Sequence, residues 1–300
     1  MTVTEPGPGA GLGVTVATYN IHRCIGRGRR ADPRRTLEVI AALDADVIAL
    51  QEVETPAEPV PAAVALLRRL AGLGYEPVLG PTMRGHRLSY GNVLLSRLPV
   101  RRRRRLDLSH PGREPRGLID VRLELAPAVR NGAPASVAPM LARIMERVAG
   151  SRAAAQRDTR WPSAVGARRA ELRCLATHLG LAPAEREAQI AAIAERIDRA
   201  GREAAAGFTR SAGGGRQPLV LLGDFNEWRP GTPRLRPIDA RLEPAPARRT
   251  WPARRPLLAL DRIWYRGGLR LTELEVVRTP LARAASDHLP LRARLWLPAV

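Results

Sequence analysis

The chain has 300 residues, enough for a sizeable buried core, and a formal net charge of +20 from 49 basic and 29 acidic residues. Every basic residue is Arg, which beside abundant Ala, Pro and Gly reads as a compositional habit, yet the resulting field still attracts phosphate, nucleic acid or acidic lipid head groups. Two cysteines, Cys24 and Cys174, make no disulfide framework and no Cys-x-x-Cys zinc pattern, and no apolar run of about 18 residues supplies a transmembrane segment.

Residues 1–13 are Pro/Gly-rich and lack the basic start and apolar stretch of a secretory signal. They are expected to be a flexible segment ahead of one domain spanning 14–300, and a cytoplasmic, reducing location is the default. Val14 to Tyr19 alternates like a strand and stops at Asn20. Asp32 to Leu43 has a helical pattern with Pro33 in the first turn, and the apolar strand Val47 to Leu50 ends at Gln51-Glu52. A second helix is expected over Pro61 to Leu73, then short strands at Tyr75 to Leu79 and Asn92 to Leu95, and a longer one from Gly117 to Leu125.

The run Arg101 to Arg105 cannot direct five adjacent side chains at one ligand, because strand neighbours point to opposite faces; it reads as a solvated sheet edge. Residues 126–170 break the rhythm and read as an insertion with a helical pattern only at Met140 to Ala149. Strand character returns at Leu172 to Thr177, ending at His178, with Cys174 as a small core residue. The helix Pro183 to Ala200 and a Gly-rich loop at Ser211 to Arg216 follow. The apolar run Leu219 to Leu222 then leads into Gly223-Asp224-Phe225-Asn226. Strands at Ala259 to Tyr265, Leu269 to Val277 and Leu291 to Trp296 close the chain. Many strands with interspersed helices suggest packed sheets with helices outside.

Strand after strand terminates in a group able to bind a cation or a phosphate: Asn20, Glu52, His178, Asp224 with Asn226, and further on Asp261 and Asp287-His288. Asp224 and Asn226, two residues apart, project to the same side and together can hold a water and a phosphoryl oxygen. If these ends converge, the site is dense in oxygen ligands and has no thiolate. Such a set suits Mg²⁺ or Mn²⁺ and argues against structural zinc.

The ordered series Thr18-Tyr19-Asn20-Ile21-His22, Gln51-Glu52, Thr177-His178, Gly223-Asp224-Phe225-Asn226, Leu260-Asp261-Arg262-Ile263 and Ser286-Asp287-His288 resembles the endonuclease/exonuclease/phosphatase superfamily. The resemblance runs from Val14 to Leu297 apart from the insertion. It implies a four-layer α/β/β/α sandwich of two packed mixed sheets with helices outside. It also implies a metal-dependent phosphoesterase activity with Mg²⁺ (or Mn²⁺) as cofactor. At matching positions it implies Glu52 as principal metal ligand, with Asn20 beside it and Asp287 completing or bridging the metal region. Asp224 would orient or deprotonate the attacking water, and Asn226 would help hold water and phosphate. His288, kept in place by Asp261, would contact the scissile phosphate, and His178 would contact a phosphate oxygen from the other side.

Several of these residues also have a plain structural reading. Glu52 suits a merely solvated strand end, Asp224 and Asn226 a turn, Asp287-His288 a helix cap or a surface pair, Asp261 a pair with Arg262, and His22 a packed position beneath its loop. His22, Arg23, Asn92 and Arg116 are the candidate substrate contacts. The loop His22 to Arg27 and the stretch Thr250 to Ala253 look most like a bacterial branch of the superfamily, not its DNA-repair members. The expected partner is a phosphate-containing substrate, either nucleic acid or a phospholipid or small phosphoester. No obligate protein partner is evident. Charge favours nucleic acid, whereas aromatic residues at only 4% argue against a platform for unpaired bases. A catalytically silent anion-binding module is the reading from another class.

Overall fold

A computed structural model describes residues 11–56, 68–85, 87–125, 170–206, 217–229 and 231–299. The insertion apart from Ala170, with its expected helix at 140–149, the loop at 211–216, most of the helix expected at 61–73 and residues 1–10 lie outside the described residues; 68–72 are helical.

Among the described residues, twelve strands form two six-stranded sheets. They are β1 (Gly11–Asn20), β2 (Val47–Pro56), β3 (Glu76–Arg84), β4 (Leu88–Ser96), β5 (Val100–Asp107), β6 (Gly117–Leu125), β7 (Ala170–His178), β8 (Leu219–Asp224), β9 (Glu243–Pro244), β10 (Asp261–Arg266), β11 (Arg270–Val276) and β12 (Leu291–Pro298). The first sheet runs β11-β12-β1-β2-β4-β3 and the second β5-β6-β7-β8-β10-β9. Each is antiparallel except for one central parallel pair, β1 with β2 and β7 with β8. The first strand begins at Gly11, paired with Pro298, so residues 11–13 expected in the flexible segment are sheet.

Besides the helical residues 68–72, the α-helices among the described residues are α1 (Pro33–Leu43), α2 (Pro183–Ala206), α3 (Arg236–Asp239) and α4 (Pro280–Ala285). Asp32 starts α1 by accepting from the Arg35 amide at 3.1 Å, with Pro33 in the first turn. Thr279 does the same for α4 through the Ala282 amide at 3.1 Å. That short helix has no counterpart in the sequence reading.

Three apolar layers separate four layers of structure. Val14, Val16, Val47 and Ala49 meet Val121, Cys174, Val220 and Leu222 between the sheets. Ala17, Tyr19, Ile48 and Leu50 turn outward to Leu37, Ile40 and Leu43 of α1. Leu175, Leu219 and Leu221 turn outward to Ile190, Ile193 and Ile197 of α2. The result is an α/β/β/α sandwich.

This alternation positions the polar strand ends. Along β8, Val220 and Leu222 face the space between the sheets, so Asp224 does too. Along β7 the series Leu172, Cys174 and Ala176 ends at His178. On β1, Val14 and Val16 lead to Asn20, and on β10, Ile263 and Tyr265 set the face of Asp261. The polar residues therefore sit where the inter-sheet core runs out, at one open edge.

Glu52 breaks the count. Leu50 pairs with Val93 and Val53 with Gly91, so Gln51 and Glu52 together face the single residue Asn92. This β-bulge leaves Glu52 at φ 56 and re-aims its side chain. Close strand packing also demands Gly223, where a Cβ would lie 2.0 Å from the Thr177 carbonyl oxygen. The arginine run occupies edge strand β5 as expected, but its side chains are largely half-buried. Arg104 reaches Glu203 at 2.8 Å and Arg101 pairs with Glu124.

Candidate active site

The amide of Asn20 links the two sheets: its Nδ2 donates to Glu52 Oε1 at 2.9 Å and to Asp224 Oδ2 at 3.1 Å. Asp224 is also the turning point of its own loop, where its Oδ1 accepts from the Asn226 backbone N–H at 3.0 Å. That is the turn foreseen as the plain alternative, here coexisting with a cleft position. Asn226 sits at φ 49, and its Nδ2 donates to the Leu179 carbonyl at 2.8 Å and to His178 Nε2 at 3.2 Å. A donor on Nε2 assigns the His178 proton to Nδ1. Burial lowers the His178 pKa to about 4, against the opposing pull of Asp224, which agrees with a neutral ring.

His288 has the opposite character. Its Nδ1 donates to Asp261 Oδ2 at 3.0 Å, and its Nε2 lies 3.7 Å from Asp224 Oδ2. Burial alone would lower its pKa, but Asp261 and Asp224 overcome that and push it up to about 10. Asp261 is cross-strand partner to Asp224, is fully buried, and its Oδ1 has no hydrogen-bond partner. The Asp261–Arg262 alternative fails, since Arg262 donates to the Glu227 carbonyl at 3.2 Å. Ligand atoms of Asp224, Asp261 and His288 all lie within 4.8 Å of one another. With both imidazole nitrogens facing carboxylates, that group is an Asp–His–Asp ion cluster and not a ready-made cage for a metal.

Asp287 is half-exposed beside this centre. Trp251 Nε1 donates to its Oδ2 at 3.2 Å, and its Oδ1 lies 3.6 Å from His22 Nδ1. Ser286 Oγ donates to the Asn20 carbonyl at 2.7 Å and accepts from the His288 backbone N–H at 3.2 Å, locking the loop before β12 onto the end of β1.

The fold thus brings Asn20, Glu52, His178, Asp224, Asn226, Asp261 and His288 into one connected group, with Asp287 and His22 at its margin. Arg116 is buried, donates to Glu114 at 2.5 Å, leaves Nε without a partner, and lies near enough to His178 to disfavour its protonation. Arg23 turns away to Glu54, 2.6 Å from its Nε, and Asn92 bridges the sheets through the Gly117 carbonyl at 3.2 Å. Neither reaches the centre.

Sequence reasoning missed three contributors. Ser286 and Trp251 stood in recognised stretches but carried no role. Buried Glu227, paired with Arg186 at 3.4 Å and Arg234 at 2.7 Å, braces the loop after Asn226; its position directly beyond the Asp-x-Asn turn was the available signal. Tyr90 also neighbours Glu52, its pKa raised by burial and by that carboxylate.

With fold and site in view, the comparisons are consistent. Residues 17–288 match the Endonuclease/Exonuclease/phosphatase family, and the chain belongs to it. Members of that family are phosphoesterases. The chain is 27% identical to YbhP, an uncharacterized protein of Escherichia coli K12, over 94% of this chain and 96% of YbhP. Among solved structures, an endonuclease/exonuclease/phosphatase from Beutenbergia cavernae matches with TM-score 0.63 at 19% identity, covering 96% of this chain and 72% of that one. The human Nocturnin catalytic domain with bound sulfate matches with TM-score 0.61 at 18% identity, covering 95% and 96%. Among the described residues, no helix is long and apolar enough to cross a membrane.

Proposed function

We propose that the chain is a divalent-metal-dependent phosphoesterase that hydrolyses a phosphodiester by in-line attack of water. The observation that carries this reading is the carboxylate excess of the cleft. Glu52, Asp224 and Asp261 converge there against one cationic imidazole, and a buried Asp261 oxygen has no partner. Asp224 and Asp261 are buried and Glu52 partly so; carboxylate concentrated there without a guanidinium bonded to it calls for a cation, and an oxygen-rich donor set fits Mg²⁺ or Mn²⁺. Glu52, with Asn20 beside it and Asp287 at the margin, would hold the ion. When bound, it neutralises charge on the phosphoryl and leaving oxygens.

The chain's own residues supply the rest. Asp224 is held rigid by Asn20 and by its own turn, and takes the proton of the attacking water. Asn226 orients that water. His288, kept cationic by Asp261, donates through Nε2 to a phosphate oxygen; at 3.7 Å from Asp224 that N–H is not consumed by a direct hydrogen bond. His178 is neutral while the cleft is free and positions Asn226, and an arriving phosphate anion favours its protonated, donating form.

The test is hydrolysis of bis-(p-nitrophenyl) phosphate with Mg²⁺ or Mn²⁺. Activity that survives both chelation and Asp224→Asn refutes the assignment. The high positive charge supports a second reading, a nuclease. Affinity for an oligonucleotide that falls steeply with salt, and hydrolysis of it, would select that reading.

A further inference from the structure

Among the described residues, the exposed large apolar side chains are Met83, Leu88, Leu181, Trp228 and Leu257. Exposed apolar residues scattered singly over a surface carry no message. These are not scattered. Met83 and Leu88 flank the tip of the β3–β4 hairpin, and Leu181 follows β7 just beyond His178. Trp228 follows β8 just beyond Asn226, and Leu257 lies in the connection that leads to Asp261. All five therefore occupy the edge that holds the cleft. The opposite edge, with its connections at 44–46, 97–99 and 267–268, has none among its described residues.

Hydrogen bonds tie these positions to the site. Arg186 donates to the Leu181 carbonyl and to Glu227, the residue before Trp228, so one guanidinium links the two loop backbones that carry these tips. Met83 pairs across the hairpin with Tyr90, the neighbour of Glu52. The Leu257 N–H donates to the Trp251 carbonyl at 2.8 Å, and Trp251 holds Asp287. Four of the five are accompanied by exposed arginine within two residues: Arg84, Arg87, Arg229 and Arg255. The Arg229 guanidinium lies 5.4 Å from the centre of the Trp228 ring.

We infer that this rim is a docking surface for an anionic lipid bilayer, with the cleft opening onto the head-group layer. Aliphatic tips beside arginines match the two phases of such an interface: tips enter the acyl boundary and guanidiniums meet phosphate. A single-stranded nucleic acid needs exposed aromatic rings to stack its bases; among the described residues of this rim only Trp228 is exposed, Tyr90 and Trp251 being partly buried. The bilayer is therefore the occupant that the composition of the rim favours. A phosphoester lipid as substrate deepens the phosphoesterase reading and rests on it; adhesion to the bilayer does not.

The experiment separates the two. Full-length protein is sedimented with vesicles of phosphatidylcholine containing phosphatidylglycerol, and with phosphatidylcholine alone. Hydrolysis of soluble bis-(p-nitrophenyl) phosphate is measured in parallel. Binding to the anionic vesicles is expected to drop about tenfold or more in Leu181→Ser/Trp228→Ser, and likewise in Met83→Ser/Leu88→Ser, each pair removing two tips that would enter the acyl boundary. Both variants should hydrolyse the soluble ester like the parent, so an inactive parent sinks the phosphoesterase reading without touching the vesicle result. Three outcomes overturn the inference: no binding to anionic vesicles, binding that both double variants retain in full, or binding to a single-stranded oligonucleotide only.

Discussion

Two clusters of buried charge lie on opposite faces of the second sheet, and they are built on opposite principles. On the helix-covered face, Arg173 grips Asp120 with both arms at 2.8 and 2.7 Å, and Arg196 adds a third bond at 2.7 Å. Glu203 accepts from Arg173, Arg196, Arg122 and Arg104 at 3.0, 3.2, 3.1 and 2.8 Å. Every carboxylate there meets guanidinium. Burial raises the Asp120 pKa against the pull of Arg173, while Arg173 and Arg104 overcome burial to hold Glu203 below its ordinary value. At the open edge the proportion reverses, and three carboxylates share one imidazolium. Burial of charge alone does not mark a site; an unbalanced sum does.

The largest expected effect breaks this contrast at the cleft. Asp224→Asn keeps the shape and removes the base, and should lower kcat on the order of 10²–10⁴-fold while leaving the unfolding midpoint no lower than in the parent. A midpoint that collapses with the activity would make Asp224 structural. The mirror experiment is Arg173→Met, which strands a buried carboxylate. It should cost roughly 3–5 kcal/mol by urea unfolding yet leave kcat of the folded protein unchanged.

A third experiment adds the missing positive charge. Saturating Mg²⁺ or Mn²⁺ should stabilise the parent by about 2.7 kcal/mol at roughly 100 times Kd, and Glu52→Gln should abolish most of that gain. A gain that persists in Glu52→Gln but is lost in Glu203→Gln would reverse the assignment of the clusters.

The smallest effect is in pH, measured by thermal unfolding in chelator. His178, depressed to about 4, takes fewer protons folded than unfolded between that value and its ordinary 6.5, so stability falls as the pH drops below 6.5. His288, raised to about 10, holds its proton longer when folded, so its contribution is full below 6.5 and is lost as the pH rises through 10. Together they place a stability maximum near 6.5. His178→Gln should flatten the acid limb and leave the alkaline limb intact; equal flattening of both limbs would count against this assignment.

Most of the sandwich was legible because strands that bury one face against a core alternate, and strands that bury both are continuously apolar. The runs Val47 to Leu50 and Leu219 to Leu222 announced themselves in this way. The strand-terminal positions of Asn20, His178 and Asp224 followed. Strand lengths were less visible: β3 runs to Arg84 through Pro81, and β4 begins at Leu88, because hairpins extend beyond the core where hydrophobic patterning stops. The pairing of Asp261 with Asp224 depends on register between strands far apart in sequence. The deflection of Arg23 onto Glu54 depends on three successive residues, His22 to Cys24, at positive φ. Long-range register leaves no local trace in residue type, and a left-handed run built on His22, Arg23 and Cys24 lacks the Gly or Asn that would announce it.

The doubled step at Gln51-Glu52 has one last implication. Val47 and Ala49 belong to the layer between the sheets, whereas Val53 packs with the layer beneath α1. The strand therefore changes sides midway, and it does so by length, not by chemistry. Because two residues there face one, removing Glu52 would let the ladder run on regularly, with Val53 still opposite Gly91, and would abolish the protruding step while leaving the hydrophobic content of the chain untouched. Scanning by substitution would pass over the feature; a one-codon deletion would expose it.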